Sequence, residues 1–295
     1  MKEKLMMIIN PAAGRSGYEA GLAPALRSLG AAGYAPALYF TDAPGDATRF
    51  AAEHGGEFDK LIVLGGDGTL SETVSGLMRI EKRPTVGYIP LGTANDVART
   101  LKLPKNDVPA AVRRFIEGEA MPFDVGSVDG RSFNYIAAFG AFTEVSYATP
   151  QKLKKTWGEL AYLAGGAKSL AQLKPRHVRV SYDHGEIDGD YLYGSVSNSR
   201  SVAGVVELPK DDVSLSDGLH ELILLKMPEN AAKFAALAAR VFNKDLDSEY
   251  IEIYHTKRAH FEFDEPVSWT FDGEDGGEHQ TLDTECCRHA INIIH

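Results

Sequence analysis

Cysteine is nearly missing from these 295 residues: two occur, side by side, at Cys286 and Cys287. Adjacent thiols cannot staple distant segments or supply zinc with ligands at working spacing. The fold must therefore come from a buried core, and a reduced, cytoplasmic setting is expected. No apolar run approaches the roughly 20 residues that a membrane-spanning helix needs. The longest, Leu5–Ile9 and Leu61–Leu64, read as buried strands. Lys2 and Lys4 precede the first run as in a signal peptide, but Asn10-Pro11-Ala12 ends it too early for one. Positive charge is also short. The formal net charge is −10, which disfavours a nucleic-acid partner, since phosphate backbones demand basic surface. The nine histidines show no H-x-x-x-H spacing and are expected to be structural or solvent-facing. Neither G-x-x-x-x-G-K-[ST] nor G-x-G-x-x-G occurs, which argues against a P-loop ATPase and a Rossmann dehydrogenase.

What the chain does have is ample apolar material, 44%, and a length that suggests two domains. Up to about residue 120, apolar strands alternate with helical patterns. Strands are expected at Leu5–Ile9, Ala35–Phe40, Lys60–Leu64 and Thr85–Ile89, with helices through Leu22–Leu29, Ala47–His54, Leu70–Ile80 and Val97–Leu101. Such alternation specifies a parallel sheet covered by helices on both faces. After Phe123 short period-two segments take over, interrupted by helical stretches at Glu159–Leu173 and Glu229–Phe242, the latter opened by Pro228. The expected fold is α/β: an N-terminal doubly wound parallel-sheet nucleotide domain, 1–123, then a mainly antiparallel β-sandwich domain, 124–285, for the acceptor. The last segment, 286–295, is free to return to the first domain.

In parallel sheets ligands bind beyond the carboxyl ends of the strands, and the glycine-bearing loops fall there. Gly65-Gly66-Asp67-Gly68-Thr69 follows a strand directly. Its glycines permit close backbone approach and positive φ, and Thr69 with Glu72 matches a capping box, so a helix is expected to begin here. Backbone amides at a helix start suit phosphate, and Asp67 suits a hydrated magnesium ion. Gly92-Thr93-Ala94-Asn95-Asp96 repeats the arrangement after the next strand, although Thr, Asn and Asp there are also ordinary N-cap residues. Asn10-Pro11-Ala12-Ala13-Gly14-Arg15-Ser16-Gly17 ends the first strand with glycine and a cation able to pair with phosphate oxygens. Near the C-terminus, Asp272-Gly273-Glu274 closes the strand Val267–Thr270. Spacing alone favours a polar hairpin turn there, while phosphoryl transfer to an alcohol uses an Asp to take or orient the hydroxyl proton.

Taken in order, these motifs resemble the diacylglycerol kinase catalytic family, which includes soluble bacterial diacylglycerol kinases, related lipid kinases and sphingosine kinases. Further matches are Thr41 with Gly45-Asp46-Ala47, Phe123-Asp124-Val125-Gly126, Lys154-Lys155…Gly158…Tyr162 and Asp217-Gly218-Leu219. The Gly-Gly-Asp-Gly-Thr loop alone is shared with NAD kinases and phosphofructokinases; the ordered set is more selective. The resemblance implies that ATP is held by Asn10, Pro11, Gly14, Arg15, Thr41, Gly65, Gly66, Asp67, Gly68, Thr69, Gly92, Thr93, Asn95 and Asp96. It implies a catalytic Mg2+ at Asp67, a general base at Asp272 supported by Glu274, and a second Mg2+ at Asp217 and the Leu219 carbonyl. Lys154, Lys155 and Asp124 are weaker candidates for the lipid or membrane side. The implied activity is phosphorylation of a lipid hydroxyl, foremost diacylglycerol giving phosphatidic acid. Alternatives are a sphingoid base, phosphatidylglycerol or NAD as acceptor, or a non-catalytic nucleotide-binding regulator. The resemblance also leaves room for a homodimer. Family members often carry a Gly-rich stretch where Ser201–Pro209 here keeps only Gly204, which bears on the acceptor and not on the phosphoryl donor.

One stretch opposes the acidic balance. Gln151–Arg176 holds Lys152, Lys154, Lys155, Lys168, Lys174 and Arg176 against Glu159 alone, with Leu153, Trp157, Leu160, Tyr162 and Leu163 among them. Peripheral docking on an anionic membrane is one reading, and a helix with an apolar core face and a solvated basic rim is the other.

Overall fold

The computed structural model describes residues 3–14, 18–93, 95–140, 174–199, 201–202, 206–208, 213–243 and 245–295. Arg15, Lys154, Lys155, Gly204 and the expected helix at Glu159–Leu173 lie outside them. The chain is mixed α/β and divides into two compact units: Met1–Val125 with Arg288–His295, and Gly126–Cys287.

The first unit alternates strand and helix: β1 (Glu3–Ile9), α1 (Tyr18–Ala31), β2 (Tyr34–Phe40), α2 (Asp46–His54), β3 (Lys60–Gly65), α3 (Asp67–Leu77), β4 (Thr85–Pro90), α4 (Asp96–Thr100) and α5 (Val108–Glu117). The strands are parallel in the order β4-β3-β1-β2. Leu5, Met7 and Ile9 of β1 meet Ala25 and Leu29 of α1 and Val112 and Phe115 of α5 in one core cluster. Met6, Ile8, Leu61 and Val63 are equally buried on the other face, the side of α2 and α3. Burial on both faces makes these strands continuous apolar runs rather than alternating ones. The helix α5 was not expected from sequence. Its start is marked by Asp107, whose carboxylate accepts from the Ala110 amide, with Pro109 in the first turn, both ordinary helix-opening signals.

The second unit is antiparallel. β5 (Ala120–Val128), which begins in the first unit, turns into β6 (Arg131–Phe133); then come β7 (Ile136–Gly140), β8 (Arg176–Tyr182), β9 (Gly185–Ser197), β10 (Ser201–Val202), β11 (Val206–Glu207), β12 (His220–Lys226), α6 (Ala231–Phe242), β13 (Ile251–Thr256), β14 (Arg258–Phe271) and β15 (Glu274–Ile294). The strands run β13-β12-β9-β7-β14-β15, with β8 also pairing with both β9 and β14, and among the described residues the β10–β11 ribbon stands apart. Phe133 of β6 meets His220 of β12 with ring centroids 5.3 Å apart, and both flank a core of Phe139, Phe261, Phe263, Trp269 and Phe271. Alternation produces that core: Val267, Trp269 and Phe271 all belong to it, while Ser268 between them is exposed. Pro228 does not open α6; Asn230 caps it, its side chain accepting from the Lys233 amide. The end of β15 belongs to the first unit, where Ile293 pairs with Val86 of β4.

Candidate active site

At the carboxyl ends of β1, β3 and β4 the three glycine loops pack on one another. Gly14 has φ +79°, and a Cβ there would lie 2.3 Å from the Leu91 carbonyl oxygen. A Cβ on Gly92 would lie 2.8 Å from the Gly66 Cα and 2.8 Å from Asn95 Oδ1. Only glycine permits these approaches. Side chains complete the junction. Asn10 Nδ2 donates to Thr69 Oγ1 at 2.9 Å, and Asn10 Oδ1 accepts from the Ala12 amide at 2.9 Å. Thr41, at the end of β2, continues the ladder by donating its amide to the Ile9 carbonyl.

The capping box is not used. α3 starts at Asp67 behind Gly66, with no side-chain cap, and Thr69 is buried within its first turn. Its hydroxyl is taken by Asn10 instead, because the tertiary contact competes for the same oxygen. The α3 start thus has an Asp in its first turn and glycines on either side of it, and its opening amides have no capping side chain.

Asp67 is fixed from the neighbouring loop: its Oδ2 accepts the Asn95 amide at 2.5 Å. Asn95 is fully buried and sits in the left-handed region at φ 51°. Its Nδ2 donates to the Gly92 carbonyl, and its Oδ1 accepts from the Tyr88 hydroxyl at 3.1 Å. Asp96, 5% exposed, pairs with Arg99 at 2.6 Å. Burial raises the Asp96 carboxyl against the attraction of Arg99 and Lys105. Burial also lowers Lys105, aided by Arg99, and raises the Tyr88 phenol, aided by the charges of Asp67 and Asp96. Tyr88, Arg99 and Lys105 were missed from sequence. Tyr88 sits in a continuous apolar run, whereas the Asp96–Arg99 spacing of three was a usable helical signal. A cavity of about 840 Å3 adjoins these loops within the same unit, lined by Gly14, Tyr18, Leu91, Gly92, Thr93 and Asn106 among others.

In the second unit Asp272-Gly273 makes the hairpin turn that its spacing predicts. The pair has φ 52° and 84° and closes the β14–β15 hairpin between Phe271 and Glu274, the primed turn that Asp-Gly favours. The Asp272 side chain, 7% exposed, accepts three backbone amides: Asn134 at 2.7 Å on Oδ2, Tyr135 at 3.0 Å and Ile136 at 3.2 Å on Oδ1. These donors hold the carboxyl group in one orientation. Glu274 is exposed. Asp217 is exposed, and its Oδ1 accepts the Leu219 amide at 3.0 Å, the local turn that Asp commonly makes. Asp124, expected toward the substrate, is fully buried and accepts the His289 amide at 2.6 Å. That bond ties β5 to β15 within the first unit.

Among the described residues no group of three or more His, Cys, Asp or Glu could cage a metal. The donors that exist, Asp67 and the nearby Asp96, suit Mg2+ that keeps most of its waters and shares a nucleotide's phosphates. Among the described residues no helix is long and apolar enough to cross a membrane.

Residues 4–128 match the family model described as the diacylglycerol kinase catalytic domain. A Bacillus subtilis protein named diacylglycerol kinase is 37% identical over 277 residues, which cover 93% of this chain and 91% of that one. A Staphylococcus epidermidis protein of the same name is 40% identical over 228 residues, 77% and 71% of the two chains. The crystal structure of a diacylglycerol kinase from Bacillus anthracis superposes with a TM-score of 0.77 at 26% identity, covering 99% of this chain and 97% of that one.

Proposed function

The chain belongs to the diacylglycerol kinase family of ATP-dependent lipid kinases, and from that membership we propose that it moves the γ-phosphate of ATP to the free hydroxyl of diacylglycerol, yielding phosphatidic acid. The observation that carries the donor side is the α3 start: Asp67 in the first turn, glycines around it, and its carboxylate held by the Asn95 amide. Amides at the start of α3 bind phosphate oxygens, and the helix end favours their charge. Gly14, Gly66 and Gly92 let those oxygens approach backbone. Arg99 and Lys105 offset negative charge beside the two aspartates. Held at Asp67 through waters, Mg2+ supplies neutralisation of the charge that builds on the phosphates. Asp272 accepts the acceptor hydroxyl's hydrogen bond and receives its proton as the phosphorus–oxygen bond forms. Three amides keep its carboxylate in place for that, and alignment matters most in a loose phosphoryl-transfer transition state.

Two further elements belong to the reading. Asp217 and the Leu219 carbonyl would hold a second Mg2+, which would steady the turn before β12. The basic stretch Gln151–Arg176 brings an otherwise acidic chain to anionic membrane, each Lys or Arg near the surface contributing about 1 kcal/mol.

The test is incubation of the pure protein with labelled ATP, with and without Mg2+, and a panel of acceptors in mixed micelles. Mg2+-dependent label in phosphatidic acid is expected. Efficient labelling of NAD with every lipid refused would overturn the acceptor, and label in a sphingoid base or phosphatidylglycerol would reassign it.

A further inference from the structure

Beneath the donor loops lies a hydroxyl that a buried strand has no need of. β4 is buried from Val86 to Pro90. Gly87 and Ile89 face α5: Ile89 shares a core cluster with Phe115, and a Cβ on Gly87 would lie 2.3 Å from the Phe115 ring. Alternation therefore turns Tyr88 to the opposite face, beside Val63 of β3, which is fully buried. Valine or isoleucine would fill such a place. Tyr88 is 3% exposed, and a phenol buried there needs a partner for its hydroxyl.

That partner is Asn95. The Tyr88 hydroxyl donates to Asn95 Oδ1 at 3.1 Å, seven residues on. The other polar groups of Asn95 are held too. Its Nδ2 donates to the Gly92 carbonyl, and its carbonyl accepts the Arg99 amide at 2.9 Å as α4 begins. Its own amide donates to Asp67 Oδ2 at 2.5 Å. Asn95 is 0% exposed, with φ 51° and ψ 57°. A residue with a side chain keeps that left-handed backbone only where its surroundings over-determine it. Two of these restraints act on the side chain, and the one from Tyr88 ties the loop to the sheet.

The linkage controls the direction of a backbone amide. The Asn95 N–H lies in a rigid peptide plane and turns only when the backbone turns. Locking the side chain between the Tyr88 hydroxyl and the Gly92 carbonyl therefore steadies the bond that holds Asp67. Asp67 is the acid assigned to hydrated Mg2+, an ion that demands near-octahedral geometry. A carboxylate free to swing would hold the ion's waters less well. Groups that orient a ligand from behind typically matter about 10- to 100-fold for metal affinity. Tyr88 stands one bond further back, so its effect is smaller.

We propose that Tyr88 is a positioning residue of the metal–phosphate site: through Asn95 it holds the Asp67 carboxylate in the orientation that receives hydrated Mg2+ and the nucleotide's phosphates. The assignment rests on the donor-site reading above.

The test compares the full chain with its Tyr88→Phe, Asn95→Gly and doubly substituted variants. Phenylalanine keeps the ring, and glycine accepts φ 51°. Calorimetry measures binding of the non-hydrolysable ATP analogue AMP-PNP in EDTA and across an Mg2+ series. NMR follows hydrogen exchange at the residue-95 amide, which needs neither turnover nor nucleotide. Loss of one hydrogen bond predicts that Tyr88→Phe needs about three- to tenfold more Mg2+ for half-maximal analogue binding. Exchange at residue 95 should quicken by a similar factor, while analogue Kd in EDTA stays within about twofold. In the Asn95→Gly background the same substitution should add less than about twofold, because the shared partner is gone. Three results overturn the assignment: an Mg2+ requirement that does not move, analogue binding weakened equally in EDTA and in Mg2+, or a Tyr88→Phe effect as large beside glycine as beside Asn95. A wild-type chain that binds no analogue under any condition removes the donor-site reading, while faster residue-95 exchange in Tyr88→Phe would still support the linkage to Asp67.

Discussion

His220 and Glu221 are neighbours in sequence and buried on opposite faces of β12, and burial moves them in opposite directions: His220 down to about 3, Glu221 up to about 8. The two signs predict two pH windows. His220 stays neutral when folded while the unfolded chain protonates it near 6.5, so stability is lost as pH falls from about 6.5 toward 3. Glu221 keeps its proton when folded while the unfolded chain releases it near 4.5, so its contribution is complete below that value and is lost as pH rises toward 8. Melting curves from pH 4 to 9 should show Glu221→Gln flattening the alkaline decline and His220→Phe the acid one; parallel curves for wild type and variants would refute the linkage. Asp272 makes a different prediction. Asp272→Asn should lower kcat at least about a hundredfold, the low end for general-base catalysis, with ATP KM little changed. It should also cost about 1–3 kcal/mol, because the new NH2 must face an amide donor in the nest. Retention of more than about a tenth of kcat would remove Asp272 from the proton path.

The loops and helix start proposed to hold the donor have a backbone-limited geometry. Gly14→Ala brings a side chain onto the Leu91 carbonyl and places alanine at φ +79°. That substitution should raise ATP KM at least about tenfold through loop displacement while leaving lipid KM alone, since positive φ for alanine costs on the order of 1 kcal/mol before the clash is counted. Equal KM values for ATP in variant and wild type would show that the Gly14 loop stands clear of the nucleotide. The Asp217-Gly218-Leu219 turn is decided by its metal response. Asp217→Ala should melt lower in Mg2+ and lose the Mg2+-dependent part of the melting shift. If Mg2+ raises both proteins equally, the carboxylate serves only the Leu219 amide.

For the molecule as a whole, net charge −10 opposes approach to an anionic bilayer, so the proposed docking through Gln151–Arg176 makes a salt-dependent prediction. Co-sedimentation with phosphatidylglycerol vesicles should weaken as salt rises through the range in which the screening length falls below about 10 Å. Replacing Lys152, Lys154, Lys155 and Lys168 by Gln should weaken it further. Binding that ignores salt, or a quadruple variant that sediments like wild type, would assign the membrane contact to another surface.

Much of this protein can be read directly from local pattern. Continuous apolar runs such as Leu5–Ile9 and Lys60–Leu64 signalled strands covered on both faces, and glycines after strands marked the loops that pack together at the strand ends, because burial and positive φ leave residue-level traces. The Asp-Gly pair at 272–273 likewise announced its hairpin, since few other dipeptides accept two positive φ values. Other features belong to tertiary structure alone. Thr69 satisfies a capping-box pattern, yet its hydroxyl goes to Asn10, 59 residues away, because a buried contact outcompetes a local one. The bond from the His289 amide to Asp124, 165 residues away, likewise leaves no local trace. In the antiparallel half β7 and β8 both pair with β9 and β14, a matter of which edges meet, and period-two alternation is the same whichever edges pair. Ser195, Ser197 and Glu221 alternate with the core residues Val196 and Leu222 yet are buried as well, which alternation alone does not show because it marks one apolar face and is silent on what covers the other.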